Sequence, residues 1–323
     1  MSKKSYIPPV RGIRYLRISL TDACNFRCLY CRGENFRPTK EVLTLQRVEL
    51  ILKVFSLFGL KTVRFTGGEP LLRKDIIPIV KVATQYVEDV SLTTNGFLLE
   101  KYAKQLKEVG LKRLNVSLDS LNTEKFQRLT GGNLEVVLRG VYEAKNYFNV
   151  IKINTVAIRG FTEEEVDGLL EFCAKNGFHL RFIELMPVGE LPFFKKEHFL
   201  PLEEIKKYIE NRYGKLEPIK SNGSGSSKDF YLPSLNLKVG FIKSVTEPFC
   251  EGCEKFRITP DGKVHLCLRT TSEIDLLPHL TSEENLEKFV PRLLALKGES
   301  NRFIALNGFG WFATAKSMIG IGG

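Results

Sequence analysis

The chain has 323 residues, 43% of them hydrophobic and 26% charged. At roughly 100–200 residues per domain, that length holds two domains or one large barrel with an appendage, and the composition excludes a disordered or fibrous chain. The net charge of +11 favours an anionic partner, whether nucleic acid, a membrane surface or a phosphorylated small molecule.

The N-terminal stretch MSKKSYIPPVRG carries lysines with no apolar run behind them, so a secretion signal is not expected. No later stretch reaches the roughly 18 uncharged apolar residues of a membrane span. A cytoplasmic protein without membrane attachment is the expectation. From Arg14 to about Met186, β-rich runs alternate with amphipathic ones. Strands are predicted at 15–20, 62–66, 89–93, 113–118, 151–158 and 180–185, and helices at 45–58, 76–87, 98–109, 134–147 and 163–176. Gly59, Gly110 and Gly177 close three of the helices as C-terminal caps do. Strict βα alternation implies a parallel sheet with helical crossovers. Six units are too few for a closed eight-stranded barrel, which leaves an open partial barrel or a doubly wound sheet.

After Met186 the pattern breaks at Pro187, Pro192 and Pro201. A helix is predicted at 202–213, a flexible linker at 221–227 (SNGSGSS), and a hairpin at 256–268 turning on Asp261-Gly262. The domains are therefore drawn at 1–190 and 191–323. Basic residues come in short runs such as Lys195-Lys196, not as a stripe interleaved with aromatics, which speaks against nucleic acid.

Seven cysteines, mostly clustered, favour metal binding or catalysis over disulfides in a non-secreted chain. Cys24, Cys28 and Cys31 form C-x3-C-x2-C just after the first strand. Three thiolates can hold three irons of a 4Fe–4S cubane and leave the fourth open to a ligand. A zinc site short of one ligand, or plain buried thiols, are the competing readings. Cys250, Cys253 and Cys267 form a second set of three. There a Cys3His zinc site competes, because His265 shares a strand face with Cys267. Cys173 sits at helical spacing with Leu169, Leu170 and Phe172 and reads as a core thiol. His179 and His198 are isolated, and Gly308-Phe309-Gly310 lacks the strand a dinucleotide fingerprint needs.

The run from Arg17 to Cys31 (RISLTDACNFRCLYC) resembles the cluster loop of radical S-adenosylmethionine (SAM) enzymes, with an aromatic, Tyr30, before the third cysteine. Thr66-Gly67-Gly68-Glu69-Pro70 resembles that family's GGEP segment. The resemblance implies an incomplete (β/α)6 barrel. It also implies a 4Fe–4S cluster on Cys24, Cys28 and Cys31 that binds SAM and reduces it to methionine and a 5′-deoxyadenosyl radical. Tyr30, Gly68, Ser117 and Met186 are its expected SAM contacts. Paired glycines would let backbone carbonyls approach the SAM ammonium.

The second cysteine set is followed by Glu254-Lys255-Phe256-Arg257 and an Asp-Gly hairpin, and the chain ends in Gly322-Gly323. This combination resembles the GTP 3′,8-cyclases, radical SAM lyases that catalyse the first step of molybdenum cofactor biosynthesis. The resemblance spans about residues 13–323. It implies a C-terminal α+β domain whose second 4Fe–4S cluster, on Cys250, Cys253 and Cys267, holds the guanine of GTP. The expected GTP contacts are Arg17, Arg64, Thr93, Lys152, Lys255, Phe256 and Arg257, with Arg181 behind them. The product would be (8S)-3′,8-cyclo-7,8-dihydroguanosine 5′-triphosphate, formed by the radical with no side chain as catalytic acid or base. Also implied are a flavodoxin- or ferredoxin-type reductant, a downstream cyclic pyranopterin synthase, and a monomer or homodimer. Ala23, Arg32, Thr62, Lys255 and the sparsely basic tail around Lys316 depart from the family's pattern. Charged residues inside strands have another reading, as internal ion pairs with acids such as Glu69 or Glu184. A radical SAM enzyme acting on a peptide or an RNA, with an auxiliary cluster, is the alternative function. A zinc-stabilised nucleic-acid-binding module is an alternative of another class.

Overall fold

The computed structural model describes residues 12–32, 36, 38–187, 195–219, 226–247, 253–268, 272–307 and 318–321, with backbone alone at 303–307 and 320–321. Six strands joined by five helical crossovers open the chain: β1 (Tyr15–Ser19), α1 (Leu45–Leu57), β2 (Thr62–Thr66), α2 (Ile76–Tyr86), β3 (Asp89–Thr94), α3 (Leu99–Glu108), β4 (Arg113–Ser117), α4 (Thr123–Thr130), α5 (Leu134–Lys145), β5 (Ile151–Ala157), α6 (Val166–Asn176) and β6 (His179–Glu184). Three of the helices start where a side chain takes up a free backbone N–H group. Thr44, Asn122 and Asn133 accept from the backbone N–H of Arg47, Lys125 and Val136. Gly177 ends α6 at φ 72°, a left-handed conformation that glycine adopts without strain.

Strands β1 to β6 are parallel and lie side by side in sequence order. That order decides between the two architectures. A doubly wound sheet reverses direction at a switch point and buries both faces. Sequential order with right-handed crossovers puts every helix on one side. Burial agrees: Leu16, Ile18, Val63, Phe65, Leu92, Val116, Ile153 and Phe182 are fully buried. The alternating positions between them, on the other face, are polar: Arg17, Arg64, Thr93, Asn115, Lys152 and Arg181. One face is hydrocarbon under helices, and the other is the polar interior of a partial barrel.

The rest of the chain comprises α7 (Leu202–Tyr213), β7 (Glu217–Pro218), β8 (Lys228–Leu232), β9 (Leu237–Ile242), β10 (Lys255–Ile258), β11 (Lys263–His265), β12 (Glu273–Asp275) and α8 (Glu283–Asn307). It extends the same sheet at both edges. β9 adds parallel to β6 and β10 adds parallel to β1, giving twelve strands in the order β12-β11-β10-β1-β2-β3-β4-β5-β6-β9-β8-β7. The predicted hairpin forms from β10 and β11, with Gly262 at φ 77°. The predicted linker at 221–227 lies almost wholly outside the described residues. No helix among the described residues is long and apolar enough to cross a membrane.

Candidate active site

The loop after β1 carries Cys24, Cys28 and Cys31, all half-buried. Several of its anchors do not use the thiols. Arg27 and Leu29 donate backbone hydrogen bonds to Thr130 and Leu129 at the end of α4, at 2.8 and 3.0 Å. The Phe26 ring packs edge-on against Phe97 and Phe126, with centroids 6.0 Å away in both cases. Asp22 accepts from the Thr39 amide and hydroxyl at 2.6 and 2.8 Å.

The turn after β2 docks onto this loop. Gly68 and Glu69 donate from their amides to the carbonyls of Thr21 and Ala23, at 2.7 and 2.8 Å. A Cβ on Gly68 would stand 2.4 Å from the Ala23 carbonyl oxygen, and one on Gly67 2.3 Å from that of Thr21. The paired glycines are therefore required first for backbone-to-backbone packing, a reason the sequence did not reveal. Gly68→Ala should destabilise the chain by about 1–3 kcal/mol, since a backbone neighbour cannot swing away. Thermal melting together with iron analysis checks this, and an unchanged midpoint would show that the turn can move.

Burial pushes all three thiols up, Cys28 well above the usual range and Cys31 to about 12, and their mutual proximity adds to the effect at Cys28 and Cys31. Three crowded thiolates need a positive centre among them, which iron supplies. Among the described residues, no three His, Cys, Asp or Glu side chains close on a single ion. Zinc needs thiolate sulfurs at about 2.3 Å from one point. A cubane takes one thiolate per iron and leaves its fourth iron open, so three cysteines on one loop suffice. The donor set fits a 4Fe–4S cluster.

Tyr30 Oη donates to Asp119 Oδ2 at 2.7 Å, and Asp119 Oδ1 accepts from the Val156 amide at 2.9 Å. Burial raises the Asp119 carboxyl to about 6. Asp119 thus ties Tyr30 to β5, a role no sequence argument had found. Its signal was an acid two residues past a strand-end serine. Half-buried Ser117 closes β4 and half-buried Met186 follows β6, so both share the C-terminal rim of the sheet with the cysteine loop. The Ile319 amide reaches the Cys31 carbonyl at 3.4 Å, while Gly322-Gly323 lies outside the described residues.

Below that rim, register lines up a row of cations. Arg257, Arg17 and Arg64 are direct neighbours on β10, β1 and β2, followed by Ser91 on β3 and Arg113 on β4. Thr93, Asn115 and Lys152 form a second row across β3, β4 and β5, and Arg181 on β6 stands opposite Asn154. Arg113 pairs with Asp89, and Arg181 lies 3.8 Å from Asp229. Among the described residues, Arg17, Arg64, Lys152 and Arg257 have no acidic partner. Arg17 Nε, Arg257 Nη1 and Thr93 Oγ1 are buried with no hydrogen-bond partner there either. The two acids that could have paired internally are used elsewhere. Glu69, raised to about 7 by burial, accepts from Leu71, Asn95 and Thr94. Glu184 accepts from the amides of Val245 and Thr246 at 2.7 and 2.9 Å.

Burial, reinforced by neighbouring cations, holds Arg17 well below its usual range, Arg257 at about 10 and Lys152 at about 7. Such an interior is short of negative charge. Folded and nucleotide-free, Lys152 binds fewer protons than in the unfolded chain between about 7 and its ordinary value of 10.5. That protein therefore gains stability as pH rises through this window. A bound anion reverses the balance by favouring the ammonium. Anion affinity should accordingly fall as pH rises above about 7. Calorimetry of GTP binding across that range should show the fall in the wild type and a shallower one in Lys152→Met. Equal slopes would refute it.

Near the second cysteine set, Cys253 precedes β10 and Cys267 follows β11, while Cys250 lies outside the described residues. His265, 4% exposed, has its Nε2 3.2 Å from Glu273 Oε1 on β12.

The Radical SAM superfamily profile matches residues 18–173, and that of Molybdenum Cofactor Synthesis C matches 178–303. The GTP 3′,8-cyclase of Alkaliphilus metalliredigens is 41% identical across 83% of this chain and 84% of its own. That of Petrotoga mobilis is 36% identical across 97% and 98%. The chain belongs to the GTP 3′,8-cyclase family. The fold also resembles Streptococcus suis SuiB bound to its precursor peptide SuiA, with a TM-score of 0.67, 18% identity, and coverage of 93% of this chain and 68% of SuiB. Identity that low speaks to the fold alone.

For a GTP 3′,8-cyclase, the cationic interior bounded by the two cysteine sets is the natural candidate site. Phe256 is 0% exposed and lies on the helix-facing side of β10, because its neighbours Lys255 and Arg257 point the other way. Only its backbone is available to a ligand. Tyr15, not anticipated, lies under both Arg64 and Lys255, with ring centroid distances of 5.6 and 5.8 Å. Such cation–π contacts hold both cations at the wall of the interior. Thr62, where a base is usual in the family, turns its hydroxyl to Asp89 at 3.5 Å.

Proposed function

We propose that this chain cyclises GTP to (8S)-3′,8-cyclo-7,8-dihydroguanosine 5′-triphosphate, the first step of molybdenum cofactor biosynthesis. One observation carries the site assignment: Arg17, Arg64, Lys152 and Arg257 share the polar face of the partial barrel with no acidic partner among the described residues. A triphosphate supplies the missing charge. When bound, the cluster on Cys24, Cys28 and Cys31 and its SAM would supply a 5′-deoxyadenosyl radical to take the 3′ hydrogen of GTP, so that C3′ can bond to guanine C8, with a second electron and a proton from outside the protein completing the dihydro product. Gly68, Ser117, Met186 and Tyr30, steadied by Asp119, hold SAM at the strand ends. The arginine row holds the triphosphate below them. Cys250, Cys253 and Cys267 hold a second 4Fe–4S cluster that orients guanine. The two anchors fix the distance between hydrogen and radical carbon, which is the protein's main contribution to rate. A small electron-transfer protein would supply both electrons, one to cleave SAM and one to complete the product, and a pyranopterin synthase would take the product, both in the cytoplasm.

Anaerobic incubation with dithionite, SAM and 3′-deuterated GTP, followed by chromatography and mass spectrometry, tests the reading. Deuterium should appear in 5′-deoxyadenosine, beside a compound isomeric with GTP. Formation of 5′-deoxyadenosine without deuterium would refute it. Reconstituted protein should hold about eight irons and eight sulfides, four for each cubane.

A further inference from the structure

Two buried polar side chains of α8 have no part in the reading above. Lys297 is 1% exposed and Asn301 2%, and they stand one helical turn apart on the same face. Asn301 Nδ2 donates to the Cys253 carbonyl at 3.0 Å. Lys297 Nζ donates to the carbonyl of Leu266, the residue before Cys267, and lies 3.7 Å from Cys253 Sγ. It also sits 5.9 Å from the centroid of the Phe256 ring. One ammonium therefore touches both arms that carry the second cysteine set.

A fully buried lysine is rare unless it is paired. Among the described residues, no carboxylate pairs with Lys297. A carbonyl and an aromatic face stabilise an ammonium in part, but neither carries a full charge. The atom at hydrogen-bond distance that can carry one is Cys253 Sγ, as a thiolate. A cation beside a cluster ligand, donating N–H to its sulfur, favours the more electron-rich state of the cluster.

We propose that Lys297 is a positioning residue for the auxiliary cluster: its ammonium binds the Cys253 thiolate, joins the Cys253 and Cys267 arms, and raises that cluster's reduction potential. The inference rests on the two-cluster reading. Asn301 supports it by fixing the Cys253 backbone.

The test is an anaerobic redox titration of the reconstituted holoenzyme followed by electron paramagnetic resonance, with iron and sulfide analysis, on wild type, Lys297→Met and Lys297→Arg. Added SAM perturbs the signal of the first cluster and so separates the two. In Lys297→Met the auxiliary midpoint should fall by about the equivalent of a tenfold change in the reduction equilibrium, ~59 mV for a one-electron couple. The first cluster should not move, and Lys297→Arg should restore most of the shift. If Lys297→Met does not retain auxiliary iron, Lys297→Gln, which keeps an N–H donor and loses the charge, is read in its place. An unmoved auxiliary midpoint at full iron content overturns the proposal. Wild-type protein with a single cluster overturns the two-cluster reading, and the proposal with it.

Discussion

Replacing Arg17, Arg64 or Arg257 with Ala should weaken GTP binding about ten- to a hundredfold while changing guanosine binding little, since a charge-assisted hydrogen bond contributes about 1.5–3 kcal/mol. The side chains belong to one cross-strand row, so each reaches the same part of a ligand. Their environment sets a second expectation. Breaking a buried ion pair destabilises a protein by about 3–5 kcal/mol, because the partner is left as an orphaned charge. These three arginines leave no such orphan among the described residues. Removing one instead relieves repulsion and desolvation, so the melting midpoint of the nucleotide-free protein should hold or rise. Arg113→Ala is the internal contrast. Arg113 is bonded to Asp89, and its loss should lower the midpoint. A steep drop in midpoint for Arg17→Ala or Arg257→Ala, with GTP and guanosine binding lost together, would place these cations in the scaffold.

The six strands were legible because each alternates polar and apolar residues, and the polar ones line the interior proposed as the site. The sheet edges were not. β9 and β10 join the sheet through pairings with β6 and β1, which no local pattern encodes. α4 is short and polar, and α8 carries Pro291 and Gly298, which hide a long helix from propensity arguments. Yet α4 anchors the cysteine loop and α8 supplies Lys297. The burial of the Phe256 side chain was legible too, since a residue between two inward cations on a strand must face outward. The approach of His265 to Glu273 was not legible, because Glu273 lies on β12, a strand the sequence did not announce. The cysteines themselves were plain, because ligand spacing along one loop is a local property.

The largest loss should follow Cys28→Ala, which is expected to reduce 5′-deoxyadenosine formation to background. Cys28 is the middle ligand of the three, and two remaining thiols leave two irons of a cubane without protein ligands. The loop itself should survive, since Phe26, the amides of Arg27 and Leu29, and the docked Gly68 turn hold it without the thiol. Melting should therefore distinguish loss of the cluster from loss of the fold. Cys267→Ala makes the complementary cut. Cys267 stands after β11, on a different strand from the SAM loop. That variant should keep cleaving SAM under dithionite but should form no GTP isomer and lose about half of its iron, four of eight. The pair of variants thus separates radical generation from radical use. Wild-type rates of 5′-deoxyadenosine formation in Cys28→Ala, or a GTP isomer made by Cys267→Ala at the wild-type rate, would break the assignment at the corresponding cysteine set.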